Sequence, residues 1–136
     1  MAITSKIEYI GGLRTEAIHV KSDTKIVTDA PTDNEGKGES FSPTDLVATA
    51  LGSCMLTIMG IKARDKNIDM DGTKVQTLKT MASNPRRIER IDIKMTMPKK
   101  YYSDSDKKVI EMAAKSCPVG HSLHADLIVV VDIIWS

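Results

Sequence analysis

Net charge is what this sequence has least of. Its 19 Lys and Arg are balanced by 18 Asp and Glu, leaving +1 across 136 residues. That balance leaves no concentrated basic face, so no nucleic-acid partner is expected. The densest basic stretch, Arg86, Arg87 and Arg90 with Lys94, is interrupted by Glu89 and Asp92. It reads as a solvated turn and strand face. Long apolar runs are missing too: no segment reaches the roughly 18 residues that span a bilayer. The amino terminus shows no basic-then-apolar pattern, because Lys6 and Glu8 break it up. These absences predict a cytoplasmic protein with no membrane partner. Cysteine is scarce, with Cys54 and Cys117 alone. Two thiols in a reducing compartment do not make a structural staple. They are either buried small hydrophobes or the seat of redox or metal chemistry. Gly36-Lys37-Gly38 is too short for a phosphate loop and is not set between a strand and a helix. No order of serine, histidine and acid marks a hydrolase.

What is present is an ordinary globular composition, 41% hydrophobic and 27% charged. The length suits a single domain over residues 1–136. Ile3 to Ile10 alternates loosely and is closed by a Gly11-Gly12 turn. Leu13 to Lys21 supplies a return strand and Lys25 to Thr28 a third, which predicts an antiparallel meander. Residues 30–43 read as a long polar loop, of the kind that is often functional or mobile. Ser42-Pro43-Thr44-Asp45 is a helix start: Ser42 caps, Pro43 suits the first turn, and Asp45 returns a bond to the cap. Leu46, Val47, Ala50, Leu51, Cys54, Met55, Ile58 and Met59 then keep a helical period over residues 44–63. With Ala48 and Ile61 the stripe is broader than one small sheet covers, whereas a second subunit covers the rest. Two strands follow, 73–83 and 88–97. The second alternates strictly through Ile91, Ile93, Met95 and Met97. Ser103 to Asp106 repeats the capping pattern before a second helix, and a final Ile/Val-rich strand runs from about Leu127 to Trp135. Strands, helix, strands, helix, strand is an α+β order.

Each cysteine falls eight positions after an apolar residue of its own stripe, Cys54 after Leu46 and Cys117 after Val109. That offset is close to two helical turns and points both thiols inward. Cysteines so placed are usually packing residues. Three features set this pair apart. Both stand beside small residues, Ala50-Leu51-Gly52-Ser53-Cys54 and Ala113-Ala114-Lys115-Ser116-Cys117, which admit a close neighbour. If Pro118 begins a new turn, Cys117 is its cap, next to unpaired N–H groups that favour a thiolate. With one thiol on each helix, one can attack and the other resolve.

These segments carry a family resemblance. Ser42-Pro43-Thr44-Asp45 through Gly52-Ser53-Cys54 resembles the first cysteine motif of the OsmC/Ohr hydroperoxide reductases, and Ser116-Cys117-Pro118-Val119 resembles the second. Arg14, just behind the Gly-Gly turn, stands where that family carries its active-site arginine. The pieces fit in order over essentially the whole chain, closest to the smaller OsmC-like branch. The resemblance implies antiparallel sheets wrapped around two central helices and an intertwined homodimer with sites at the interface. It implies that Cys54 attacks a hydroperoxide and becomes a sulfenic acid, and that Cys117 condenses with it to a disulfide. A dithiol reductant then resets the pair, with no cofactor. Arg14 would favour the thiolate and orient the peroxide. The best-studied members carry a Glu directly after the Pro of the first motif, paired with that arginine. Here Thr44 occupies the position, and Asp45 or Glu39 is a candidate replacement, with Asp45 also suited to capping alone.

Two rival readings follow from the residues. Cys117, His121 and His124 form a Cys-x3-His-x2-His run that Cys54 would complete as a zinc site. Alternatively, a methionine-rich interior suits an apolar small molecule, bound with weak or no peroxidase activity.

Overall fold

The structure is a computed structural model that describes residues 2–136. The chain forms two compact units, residues 1–47 and 48–136.

The first unit is a meander of β1 (Ser5–Gly11), β2 (Arg14–His19) and β3 (Lys25–Asp29), paired antiparallel in that order. The β1–β2 turn takes left-handed backbone at Gly11, Gly12 and Leu13, a region only glycine enters without strain. The β2–β3 register runs from Arg14 opposite Asp29 to Ile18 opposite Lys25. The loop over residues 30–42 is built rather than loose. Gly36 and Gly38 donate back to Pro31 and Ala30, Asp29 N–H to the Phe41 carbonyl, and the Ser40 hydroxyl to the Val27 carbonyl. A Cβ at Gly36 would fall 1.8 Å from the Ala30 carbonyl oxygen, so only glycine closes this loop. Helix α1 (Pro43–Asp65) starts where the sequence predicts. Ser42 N–H donates to Asp45 at 2.9 Å and Asp45 N–H donates to the Ser42 hydroxyl at 3.1 Å, a complete capping box.

The second unit holds the rest of α1, then β4 (Lys74–Ala82), β5 (Arg87–Thr96), α2 (Asp104–Ala114), α3 (Pro118–Ser122) and β6 (Ile128–Ile134). The sheet order is β4-β5-β6. β4 and β5 pair antiparallel, but β6 lies parallel to β5, from Arg90 beside Ile128 to Thr96 beside Ile134. Antiparallel pairing therefore describes the first sheet and only half of the second. The connection from β5 to β6 carries two helices, long enough for the crossover a parallel pair needs. The alternation along β5 holds: Ile91, Ile93, Met95 and Met97 are all at most 2% exposed and form the core with Leu51, Met59 and Ile110. Helix α1 meets β4 at Gly52, where an added Cβ would sit 3.1 Å from a Thr77 methyl.

Helix α1 reverses one expectation. Although no uninterrupted apolar run is present, this helix is long and apolar enough to cross a membrane by length and composition. Only 33% of its apolar window is buried, and Ile61 is largely exposed. Its buried positions Leu51, Met55 and Met59 face the sheet core.

The second helix also ends sooner than its stripe suggests. It stops at Ala114, because Pro118 disfavours helical backbone at Cys117. Lys115 and Ser116 tighten the last turn by donating to the Met112 and Ala113 carbonyls. Cys117 is extended and caps α3.

Candidate active site

The second unit brings the two cysteines together. Cys54 is half-buried on α1 and Cys117 is buried at 2% exposure. Both thiols are free, and Cys54 stands close enough to Cys117 to perturb its thiol. Cys117 Sγ also accepts the Gly120 N–H at 3.4 Å. Burial pushes the Cys117 thiol above its ordinary value, and the contact with Cys54 adds to the rise. The N–H groups of α3 pull the other way and lose. The expected thiolate-favouring cap is thus present in geometry, but desolvation outweighs it.

Cys117 opens onto a cleft of about 640 Å³. Leu51, Met55, Val129, Val131 and Ile133 line it, with His121 among its polar residues. The zinc arrangement does not form. Among the described residues, no three His, Cys, Asp or Glu side chains are grouped to hold a metal ion. His124 is exposed and accepts the Asp126 N–H at 3.0 Å. The methionines divide: Met55, Met59, Met95 and Met97 are buried core, whereas Met112 is 69% exposed.

The first unit holds the predicted cation. The Arg14 guanidinium lies 3.0 Å from Glu39 and 3.4 Å from Asp29. Glu39 was a candidate partner; Asp29 was not foreseen. Its signal was the register, since antiparallel counting of β2 against β3 sets Arg14 opposite Asp29. The Asp29 side chain is fully buried, and its Oδ2 also accepts the Glu39 N–H at 2.9 Å. That N–H holds the Asp29 carboxyl below the usual carboxylate range, with Arg14 helping, against a burial cost that would raise it. Asp45 is engaged in the Ser42 cap.

An α+β scaffold carrying a closely spaced cysteine pair defines a class, that of proteins with a redox-active dithiol. The comparisons specify it further: the chain belongs to the OsmC-like protein family, whose sequence profile matches residues 36–132. A Psychrobacter arcticus 273-4 structure, described as an osmotic stress induced and detoxification response protein, is 50% identical with a TM-score of 0.94. That match covers 98% of this chain and 97% of the other. An organic hydroperoxide resistance protein OsmC from Legionella pneumophila shares the fold, at 13% identity, TM-score 0.77 and 99% coverage of both chains. So does an organic hydroperoxide resistance protein from Elizabethkingia anophelis, at 14% identity and TM-score 0.76, covering 100% of this chain and 99% of that one. No curated protein matches.

Proposed function

We propose that this chain is a thiol-dependent peroxidase that reduces organic hydroperoxides, in defence against oxidative stress. The observation that carries the reading is the close pairing of two free thiols, buried Cys117 beside the more accessible Cys54. Cys54 attacks the terminal peroxide oxygen as a thiolate, the O–O bond breaks, and the alcohol leaves with a proton. Cys54 is then a sulfenic acid. Cys117 attacks that sulfur, water leaves, and a disulfide closes. A dithiol reductant returns both thiols by exchange. The apolar cleft, lined by Cys117 and not by Cys54, supports an apolar substrate beside the dithiol.

Arg14 is the proposed cation of the first step, and its part is read kinetically. Arg14→Ala should slow sulfenic acid formation while Cys117 still closes the disulfide. The working form is proposed to be an intertwined cytoplasmic homodimer in which residues 1–136 act as one domain. Apolar side chains left exposed in the single chain support a second subunit, among them Ile7, Ile26, Leu78 and Val129. Sedimentation of the reduced protein checks the assembly.

The direct experiment is intact mass with thiol alkylation, before and after about one equivalent of cumene hydroperoxide. Loss of both alkylation sites with a two-hydrogen mass loss supports the dithiol mechanism. Two free thiols after exposure would sink it. The volume and lining of the cleft would then favour the second reading, an apolar small-molecule binder without peroxidase activity.

A further inference from the structure

Arg14 has two carboxylate neighbours of opposite character. Glu39 is closer, at 3.0 Å, but its side chain is 60% exposed. Asp29 is farther, at 3.4 Å, and its side chain is 0% exposed. A difference of 0.4 Å changes a Coulomb energy by roughly a tenth, whereas moving a charge from water toward the protein interior changes the effective dielectric by about fourfold. The buried partner therefore holds the guanidinium more firmly than distance alone suggests, and salt screens it less.

Asp29 is unevenly served by its surroundings. Its Oδ1 is buried and accepts no hydrogen bond, so the carboxylate is only half satisfied. The β2–β3 ladder has no need of an acid there; its neighbouring pair, Thr15 and Thr28, bond side chain to side chain. What the acid does is organise. Its backbone N–H donates to Phe41 at the far end of the loop, and its Oδ2 takes the Glu39 N–H. One residue thus touches Arg14 directly and folds the loop that brings Glu39 to Arg14.

We infer that Asp29 is the positioning residue for Arg14, fixing the guanidinium for the peroxide step both by direct contact and through the Glu39 loop. The inference rests on the peroxidase reading. It also means that this chain, with Thr44 after Pro43, supplies its carboxylates from a strand register and a loop instead of a helix start.

The test is a double-mutant cycle on the first chemical step, read as the second-order rate of Cys54 oxidation by cumene hydroperoxide in pre-reduced protein. Asp29→Asn is nearly the same shape and should lose on the order of ten- to hundredfold, the scale of misplacing a reacting group by about 1 Å. Because Asp29 acts through Arg14, Arg14→Ala/Asp29→Asn should be no slower than Arg14→Ala alone. A merely structural role predicts instead that the Asp29 loss persists without Arg14. Parent rate in a folded Asp29→Asn protein, or a further tenfold loss in the double variant, overturns the inference. Parent rate in Arg14→Ala overturns it too, by leaving nothing to position. If Asp29→Asn fails to fold, Arg14→Lys carries the test: it keeps the charge, loses the planar fork, and should slow the step by at least tenfold. Parent rate there overturns the inference. The peroxidase reading is separately at stake in Cys54→Ser. If that variant still consumes peroxide, both fall; if it is dead while Asp29→Asn is unimpaired, only the role of Asp29 falls.

Discussion

The two units solve the problem of burial in opposite ways. Residues 48–136 bury an apolar core of Leu51, Met59, Ile91, Ile93, Met95 and Ile110. Residues 1–47 bury Thr28, Asp29 and Ser42, all polar, and leave Ile7, Tyr9 and Ile26 exposed. The second unit owes its order to the hydrophobic effect. The first owes its order to hydrogen bonds and to a charge cluster, interactions that are individually modest in net terms but specific in geometry. The lesson is a division of labour. The unit with its own core carries the dithiol, which needs a dry, fixed setting. The unit with a polar interior carries the arginine, which needs aimed carboxylates.

The largest expected effect tests the thiol half of that division. Cys54→Ser should abolish peroxide consumption in a coupled assay. Cys117→Ser should allow one turnover and then leave Cys54 as a sulfenic acid open to over-oxidation, visible by mass. Next comes the core itself. Ile93→Ala should cost about 2–5 kcal/mol in chemical denaturation, because Ile93 is 1% exposed and its site cannot fully collapse.

The charge cluster gives a pH dependence. The folded Asp29 carboxyl sits below its unfolded value, so its contribution to stability is complete above roughly pH 4 and is lost as pH falls through the folded value. Denaturation between about pH 2 and 5 should show that slope in the parent protein and a flatter one in Asp29→Asn. An unchanged slope would mean that Asp29 is no more favourably placed in the fold than in the unfolded chain. Cys117 acts at the other end. Its raised thiol keeps its contribution below about pH 8.5, and that contribution fades as pH rises toward the folded value.

The smallest effect sharpens the comparison most. Ile7→Ala should stay within about 0.5 kcal/mol in the single chain, where Ile7 is 67% exposed. A larger loss that varies with protein concentration would identify Ile7 as covered by a second subunit. The polar interior of the first unit would then be a property of the isolated chain alone.

Much of this was legible in the sequence. Both long helices begin at their capping boxes, Ser42 with Asp45 and Ser103 with Asp106, because a cap is a signal contained within four residues. The core face of β5 was legible because strand alternation has period 2 and needs no partner to be seen. The cysteines were legible as a pair, and Arg14 and Glu39 as candidates. Illegible were Asp29, the early end of α2, the parallel placement of β6 and the apolar reach of α1.

The sequence by itself determined where elements start, which faces are apolar, and that the two thiols belong to separate segments, one within a helix and one just before Pro118. Those properties depend on near neighbours along the chain. Only the tertiary structure decided that Cys117 meets Cys54 in a buried setting that raises its thiol, and that Arg14 answers to Asp29 as well as Glu39. Both outcomes depend on burial and on strand register. Burial sets the dielectric around a thiol, and register sets which side chains face each other although they lie fifteen positions apart in the chain.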